Sequence, residues 1–368
     1  MFIPSSKSKL SLIILALVAI GLFVWVENSR IIAQKHYFEP KLKAAELMQQ
    51  AEDVIRSYQD ERGFYIDTEN DPNETALIGE KETLITTDRG SLRSKLTTLN
   101  PNFAAIIVQY FKDAGLKKGD KIAVSVTGSM PALNIAVLSA AKVLDLEVEM
   151  ITSVGASMFG ATDPEFTWLD METLLREEGI FQYKSIAASM GGGRDLGRGL
   201  NRTGRELILQ AIKRNKVPLV QENSLEANIN KKMQIWQQAA AGKPYKMYIN
   251  VGGGLSSLGN SINGRLLQPG YHKYLNIKNI PLKGTMFLFA EKGVPVLHLL
   301  DITKLAQKHN LPLAPVPLPQ PGQGEVFASP KYNVNIAIIA LAIMVILIII
   351  IIVFDKKQLK FKEDELAL

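Results

Sequence analysis

The chain has 368 residues, 42 Lys and Arg against 36 Asp and Glu, 47% hydrophobic residues and no cysteine. Disulfides, Cys-ligated zinc, iron–sulfur clusters and thiol catalysis are therefore excluded. With 27 glycines and 17 prolines it is neither collagen-like nor largely disordered, and its length suffices for a sizeable core.

Taken in chain order, residues 1–9 read as a cytoplasmic N-terminus and residues 10–26, LSLIILALVAIGLFVWV, as an uncleaved transmembrane anchor. The run carries no charge, and Glu27, Asn28, Ser29 and Arg30 offer no small-x-small cleavage site. Residues 27–65 read as an amphipathic helical stalk. Ala44, Leu47, Met48, Ala51, Val54, Ile55 and Tyr58 follow helical spacing, so this helix either packs on the body or extends the first span. The body, residues 66–311, opens with a helix over 101–114. It then alternates strand and helix: strands at 121–126, 147–152, 185–189, 217–221, 245–251 and 286–290, helices at 131–144, 168–178, 203–213 and 225–241. That alternation predicts an α/β fold with a Rossmann-like, mainly parallel sheet whose site lies in loops at the strand carboxyl ends.

Residues 312–332 hold six prolines and predict an extended linker. Residues 333–354 contain IAIIALAIMVILIIIIIVF, long enough to span a bilayer core of roughly 20 apolar residues. The tail, 355–368, carries Lys356, Lys357, Lys360 and Lys362, which places it in the cytoplasm by the positive-inside rule. Two spans then put both termini on the cytoplasmic side and the body outside it. The mild cationic excess suits an anionic partner; no nucleic acid is expected.

Four loops that follow predicted strands are candidates for chemistry. In Thr127-Gly128-Ser129-Met130-Pro131, Ser129 is a nucleophile, a hydroxyl for an anionic ligand, or a plain helix cap; the flanks do not form Gly-x-Ser-x-Gly and no histidine is near in sequence. The loop from Ser153 has small residues, including Gly155, that allow close approach of a ligand. Its acids Asp163, Glu165, Asp170 and Glu172 offer carboxylates for a divalent metal or acid–base work, or serve as helix caps. The third loop runs through Gly191, Gly192, Gly193 and Arg194, with Arg198, Arg202 and Arg205 at helical spacing; if helical, these arginines share a face able to bind carboxylates, although Gly197 and Gly199 weaken that helix. The fourth, Gly252-Gly253-Gly254-Leu255-Ser256-Ser257, has the composition of an anion-binding nest. It lacks the Gly-Lys-Ser/Thr ending of a P-loop, and no dinucleotide fingerprint is present. No cofactor is expected beyond the optional divalent metal. His272, His298 and His309 stand isolated, with no HExxH pattern.

Several segments resemble the bacterial poly-gamma-glutamate system protein family. These are Asn100-Pro-Asn-Phe-Ala-Ala, Gly128-Ser-Met-Pro-Ala-Leu-Asn-Ile-Ala-Val, Thr152-Ser-Val-Gly-Ala-Ser, Asp163-Pro-Glu-Phe-Thr-Trp-Leu-Asp-Met-Glu, Met190-Gly-Gly-Gly-Arg-Asp and Asn250-Val-Gly-Gly-Gly. The resemblance covers about residues 70–300. It implies a membrane protein of the cell envelope in capsule, that is poly-gamma-glutamate, biosynthesis or export, acting beside membrane-bound synthase components. It carries over no catalytic residue. On this reading the loops and arginines bind the polymer or its synthase; the alternatives are an extracytoplasmic amide hydrolase or transpeptidase using Ser129 or a metal at Asp163, Glu165 or Asp170, and a non-catalytic scaffold.

Overall fold

The computed structural model describes residues 8–275 and 279–366, with the side chains of 357–366 outside the described set. Residues 1–7 of the expected cytoplasmic N-terminus, and the side chains of Lys357, Lys360 and Lys362 in the expected tail, thus lie outside the described residues. In chain order the elements are α1 (Lys9–Asn28), β1 (Ile31–Gln34), α2 (Phe38–Glu61), β2 (Thr86–Asp88), α3 (Leu92–Thr98), α4 (Phe103–Asp113), β3 (Lys121–Thr127), α5 (Pro131–Val143), β4 (Glu147–Ser153), β5 (Ala156–Ser157), α6 (Trp168–Glu177), β6 (Ser185–Ser189), α7 (Arg202–Arg214), α8 (Leu225–Ala240), β7 (Tyr245–Val251), α9 (Leu255–Leu258), α10 (Ser261–Arg265), β8 (Gly270–His272), α11 (Thr285–Glu291), β9 (Val296–Leu299), α12 (Ile302–Lys308), β10 (Ala328–Lys331) and α13 (Val334–Leu366).

The chain divides into two units, one made from residues 8–34 and 328–366 and the other from residues 35–327. In the first, β1 pairs antiparallel with β10, and Tyr332 donates to Glu27 at 2.7 Å while Arg30 lies over the Tyr332 ring. The helices Lys9–Asn28 and Val334–Lys356 are long and apolar enough to cross a membrane, by length and composition.

The second unit is a mixed α/β body around a six-stranded sheet of order β6-β4-β3-β7-β9-β8. All neighbours are parallel except the edge strand β8, which runs antiparallel to β9. β3 is buried along its whole length, as expected of a central strand covered on both faces. Its alternate residues point to opposite layers. Ile122, Val124 and Val126 join the core formed with α2, α4 and α5, where Met48, Ile55, Phe103 and Leu133 are fully buried. Ala123 instead joins the layer of α8 and α11, in which Trp236 meets Tyr248 edge-on and Phe289 stacks on Tyr248 at 4.8 Å.

Several expectations need correction. The helix of the expected stalk is α2, and of the two arrangements expected for it the packed one is found, its apolar stripe buried in the body core. The run expected as a strand at 286–290 is the helix α11: Met286, Phe287 and Phe289 are buried on it, and the strand of this region is β9, ten residues later. The expected strand at 217–221 is reduced to a single bridge between Ala188 and Leu219, since Pro218 can accept from Ala188 but has no N–H to extend a ladder. The proline-rich segment lies against the body up to Phe327. Its carbonyls at Pro315 and Gln320 accept from Asn73 and Asn102, Ala314 donates to Thr97, and Phe327 is fully buried. Segment-to-core packing and side-chain amides hold it where polyproline stiffness alone predicts an extended tether.

Candidate functional site

The chain runs from β3 outward through β4 to β6 and then crosses to β7 and β9 on the other side of β3. The switch in direction falls between β3 and β7, where the loops leaving the carboxyl ends diverge and open a crevice. A cleft of about 490 Å³ lies there, a volume suited to a small ligand or a segment of a polymer. It is lined after β3 by Thr127, Ser129 and Met130, after β4 by Ser153, Gly155 and Ser157, after β6 by Gly191, Gly192, Gly193, Asp195 and Arg198, and after β7 by Gly252, Gly253, Gly254 and Leu255. A fifth loop, Leu300–Ile302 after β9, Ser261 at the start of α10, and residues 87–91, 94 and 95 complete it.

The floor is a buried ion pair. Lys232 on α8 meets Asp195 at 2.8 Å, each side chain 1% exposed. Lys232 also donates to Ser256 at 2.6 Å and to Ser189 at 2.8 Å, while Ser189 and Ser153 donate to Asp195 at 2.8 and 3.0 Å. Asn228 adds a bond to the Asp195 carbonyl. Hydroxyls from the ends of β4 and β6 and from α9 thus meet one charge pair, tying together loops that leave different strands. Asp195 and the preceding Arg194 both have positive φ, 60° and 57°, a conformation costing non-glycine residues on the order of 1 kcal/mol each. Bridges between Gly191 and Leu196 and between Gly193 and Arg198, together with the ion pair, hold this turn in place.

One wall is built differently. Lys95 on α3 is 2% exposed. It donates to the Ser129 carbonyl and to Ser157 Oγ, the latter at 2.9 Å, and it has no carboxylate partner among the described residues. Burial alone pulls its pKa down to about 7, because nothing nearby repays the loss of water around the ammonium. Ser129 and Ser157 are locked together, Ser157 N–H donating to Ser129 Oγ at 2.9 Å. The loops approach so closely that a Cβ on Gly160 would sit 2.7 Å from the Gly128 carbonyl oxygen, so only glycine fits.

The sequence-derived candidates separate on this frame. Ser129, Ser153, Gly155, Gly191–Gly193, Arg198 and Gly252–Gly254 line the cleft. Gly128 lies behind the lining: a Cβ there would strike the Val154 carbonyl oxygen at 2.3 Å. Arg194 is exposed and outside the lining, and Arg202 is paired with Glu206 on the exposed face of α7. Arg194 and Arg198 precede α7, so the four arginines do not share one helical face; only Arg202 and Arg205 lie on that helix, where Arg205 donates to the Leu200 carbonyl at 2.7 Å. The four acids considered for a metal have structural partners or stay outside the cleft. Asp163 meets Arg62 at 3.5 Å, Glu165 is exposed, and Asp170 caps α6 with Thr167 and bonds Arg214. Glu172, buried and pushed up to about 7 by desolvation, accepts from the N–H and hydroxyl of Ser185. Among the described residues no group of three or more His, Asp and Glu is arranged to hold a metal ion. His298 is buried and His309 half-buried, and desolvation pulls both down to about 4; they bond Asn250 and Tyr110 respectively.

Lys95, Ser157, Lys232 and the loop at Leu300–Ile302 escape the sequence reading. A signal existed for both lysines. Lys95 lies between Leu92 and Leu99, and Lys232 between Ile229 and Trp236, each at the spacing of an inward-facing helical stripe. No family model matches the chain, and neither a curated protein nor a solved structure matches it.

Proposed function

We propose that the protein is a two-pass membrane component of poly-gamma-glutamate capsule biosynthesis or export, whose body receives the carboxylate-bearing polymer in the cleft. The observation that carries this reading is the convergence of the strand-end loops on one polar cleft that Arg89 and Arg198 enter without an ion-pair partner among the described residues. A guanidinium left free beside a cleft rich in hydroxyls and backbone amides is suited to carboxylates, which it binds in a two-pronged fashion. Of the three acids of the lining, Asp195 pairs with Lys232 and Asp301 with Lys304, while Asp88 has no ion-pair partner among the described residues. The strand order supports a Rossmann-like body, with the third, second, first, fourth and fifth parallel strands side by side. The two apolar end helices, with the lysines after the second, support a bilayer anchor with both termini in the cytoplasm and the body outside.

The test is binding of the detergent-purified full chain to poly-gamma-glutamate over a salt series, paired with protease digestion of intact spheroplasts. Salt-sensitive binding that weakens in Arg89→Ala, Arg198→Ala, with external digestion of the body, is expected. Equal binding by wild type and the double variant would remove the arginines from the reading, and a protected body would overturn the topology.

A further inference from the structure

We infer that Ser157 and Lys95 form a nucleophile and general base that cleave an amide bond by acyl transfer to Ser157. The amide-bearing carboxylate chain as substrate rests on the reading above; the pair itself stands on its own geometry. Lys95 Nζ lies 2.9 Å from Ser157 Oγ, within the reach a base needs of the proton it removes. Both line the cleft. The charged residues that share the cleft are Asp88, Arg89, Asp195, Arg198 and Asp301, and none is ion-paired to Lys95. A neutral amine has two N–H donors and one lone pair. One N–H serves the Ser129 carbonyl, which leaves the lone pair to take the Ser157 hydroxyl proton. Burial without a counter-charge keeps the amine near neutrality at about 7, the range in which a lysine acts as a base.

Ser157 is positioned for attack. It pairs with Asp88 in the short parallel strand contact of β2 and β5, and its N–H is anchored on Ser129 Oγ. That bond gives Ser129, the candidate from sequence, a positioning role, with its carbonyl orienting Lys95 and its hydroxyl fixing Ser157. In the proposed step Ser157 Oγ forms a bond to the amide carbonyl carbon as its proton passes to Lys95 Nζ. The carbon–nitrogen bond breaks, and the leaving amine takes the proton from Lys95. Water, deprotonated by Lys95, then attacks the ester, releasing a carboxylic acid and restoring the Ser157 hydroxyl.

The experiment treats the full chain in detergent with an alkyl fluorophosphonate and maps the adduct by peptide mass. In parallel, new amino termini are assayed after incubation with poly-gamma-glutamate. Labelling at Ser157 is expected, rising with pH through about 7 as Lys95 loses its proton. It is lost in Ser157→Ala and falls at least about 100-fold in Lys95→Arg, which keeps the charge and supplies no base. Lys95→Arg is expected to retain polymer binding, which separates failure of the catalytic pair from failure of the receiver. A chain that binds polymer yet shows neither a Ser157 adduct nor new amino termini overturns the inference, as does labelling that Lys95→Arg leaves unchanged.

Discussion

Two buried lysines, one in the wall of the cleft and one beneath its lining, differ in the partners they meet. Lys232, under the floor, has Asp195 at 2.8 Å and hydroxyls from Ser189 and Ser256. Lys95, in the wall, has a carbonyl and the Ser157 hydroxyl and no anion. Depth is nearly equal, so the counter-charge decides. The paired lysine acts as a tie between loops; burial pushes the unpaired one toward the free amine. A buried ion pair contributes little net stability, because desolvating each ion costs several kcal/mol. Its work here is to fix the relative positions of the loops after β4, β6 and β7. The unpaired lysine costs stability outright, the usual mark of a residue kept for function.

The sharpest way to break this contrast is to remove one member of the floor pair. Lys232→Met leaves Asp195 buried without its cation and is expected to destabilise the body by about 3–5 kcal/mol, read by denaturant unfolding. The double change Lys232→Met, Asp195→Leu is expected to recover part of that loss. If the single variant is as stable as wild type, the floor pair is not an ion pair in solution.

In the wall the sign reverses. Lys95→Met is expected to raise stability at neutral pH by on the order of 2 kcal/mol, since the variant no longer carries the cost of burying an ammonium. The linkage has a definite direction. Lys95 titrates at about 7 in the folded chain against 10.5 for a free lysine, so between those values the unfolded chain holds the extra proton. Stability of the wild type therefore rises with pH across that window, and Lys95→Met is expected to flatten that rise. Ser157→Asp, which supplies the missing counter-charge, is expected to lift the Lys95 pKa and to add about 1 kcal/mol at pH 7; NMR of isotopically dimethylated lysines reads the pKa directly.

The smallest effect belongs to the rim. Arg198→Ala is expected to weaken poly-gamma-glutamate binding by about 1 kcal/mol, roughly fivefold in Kd, with no change in stability. The difference should fade as salt rises, because the arginine is exposed and its field is screened.

Much of this frame was legible in the sequence, and its limits have physical causes. β6 and β7 match their predicted spans, because parallel strands covered on both faces read as short runs dominated by apolar or small residues, at the sheet edge where β6 lies as well as in the interior. The four strand-end loops were visible as glycine-rich breaks, and they converge because parallel topology puts every carboxyl end on one side of the sheet. Strand order was not legible, so the fifth loop at Leu300–Ile302 went unseen; its strand, Val296–Leu299, has only four residues. The short apolar run at 286–290 has no period that distinguishes helix from strand. Chemistry hid where an expected composition was broken: a lysine in an inward helical stripe, at 95 and again at 232, is noticed only when that stripe is read for its exceptions. Arg194, Arg198 and Arg202 were regular in spacing, but Gly197 and Gly199 kept the first two in a turn with positive φ at residues 194, 195, 197 and 199.

Hydrogen–deuterium exchange of the full chain, with and without a gamma-linked glutamate oligomer, tests the receiving cleft most directly. Protection is expected together at residues 127–130, 153–157, 191–198 and 252–255, and should disappear in Arg89→Ala, Arg198→Ala. Protection confined to other surfaces, or the same protection in the double variant, would contradict it.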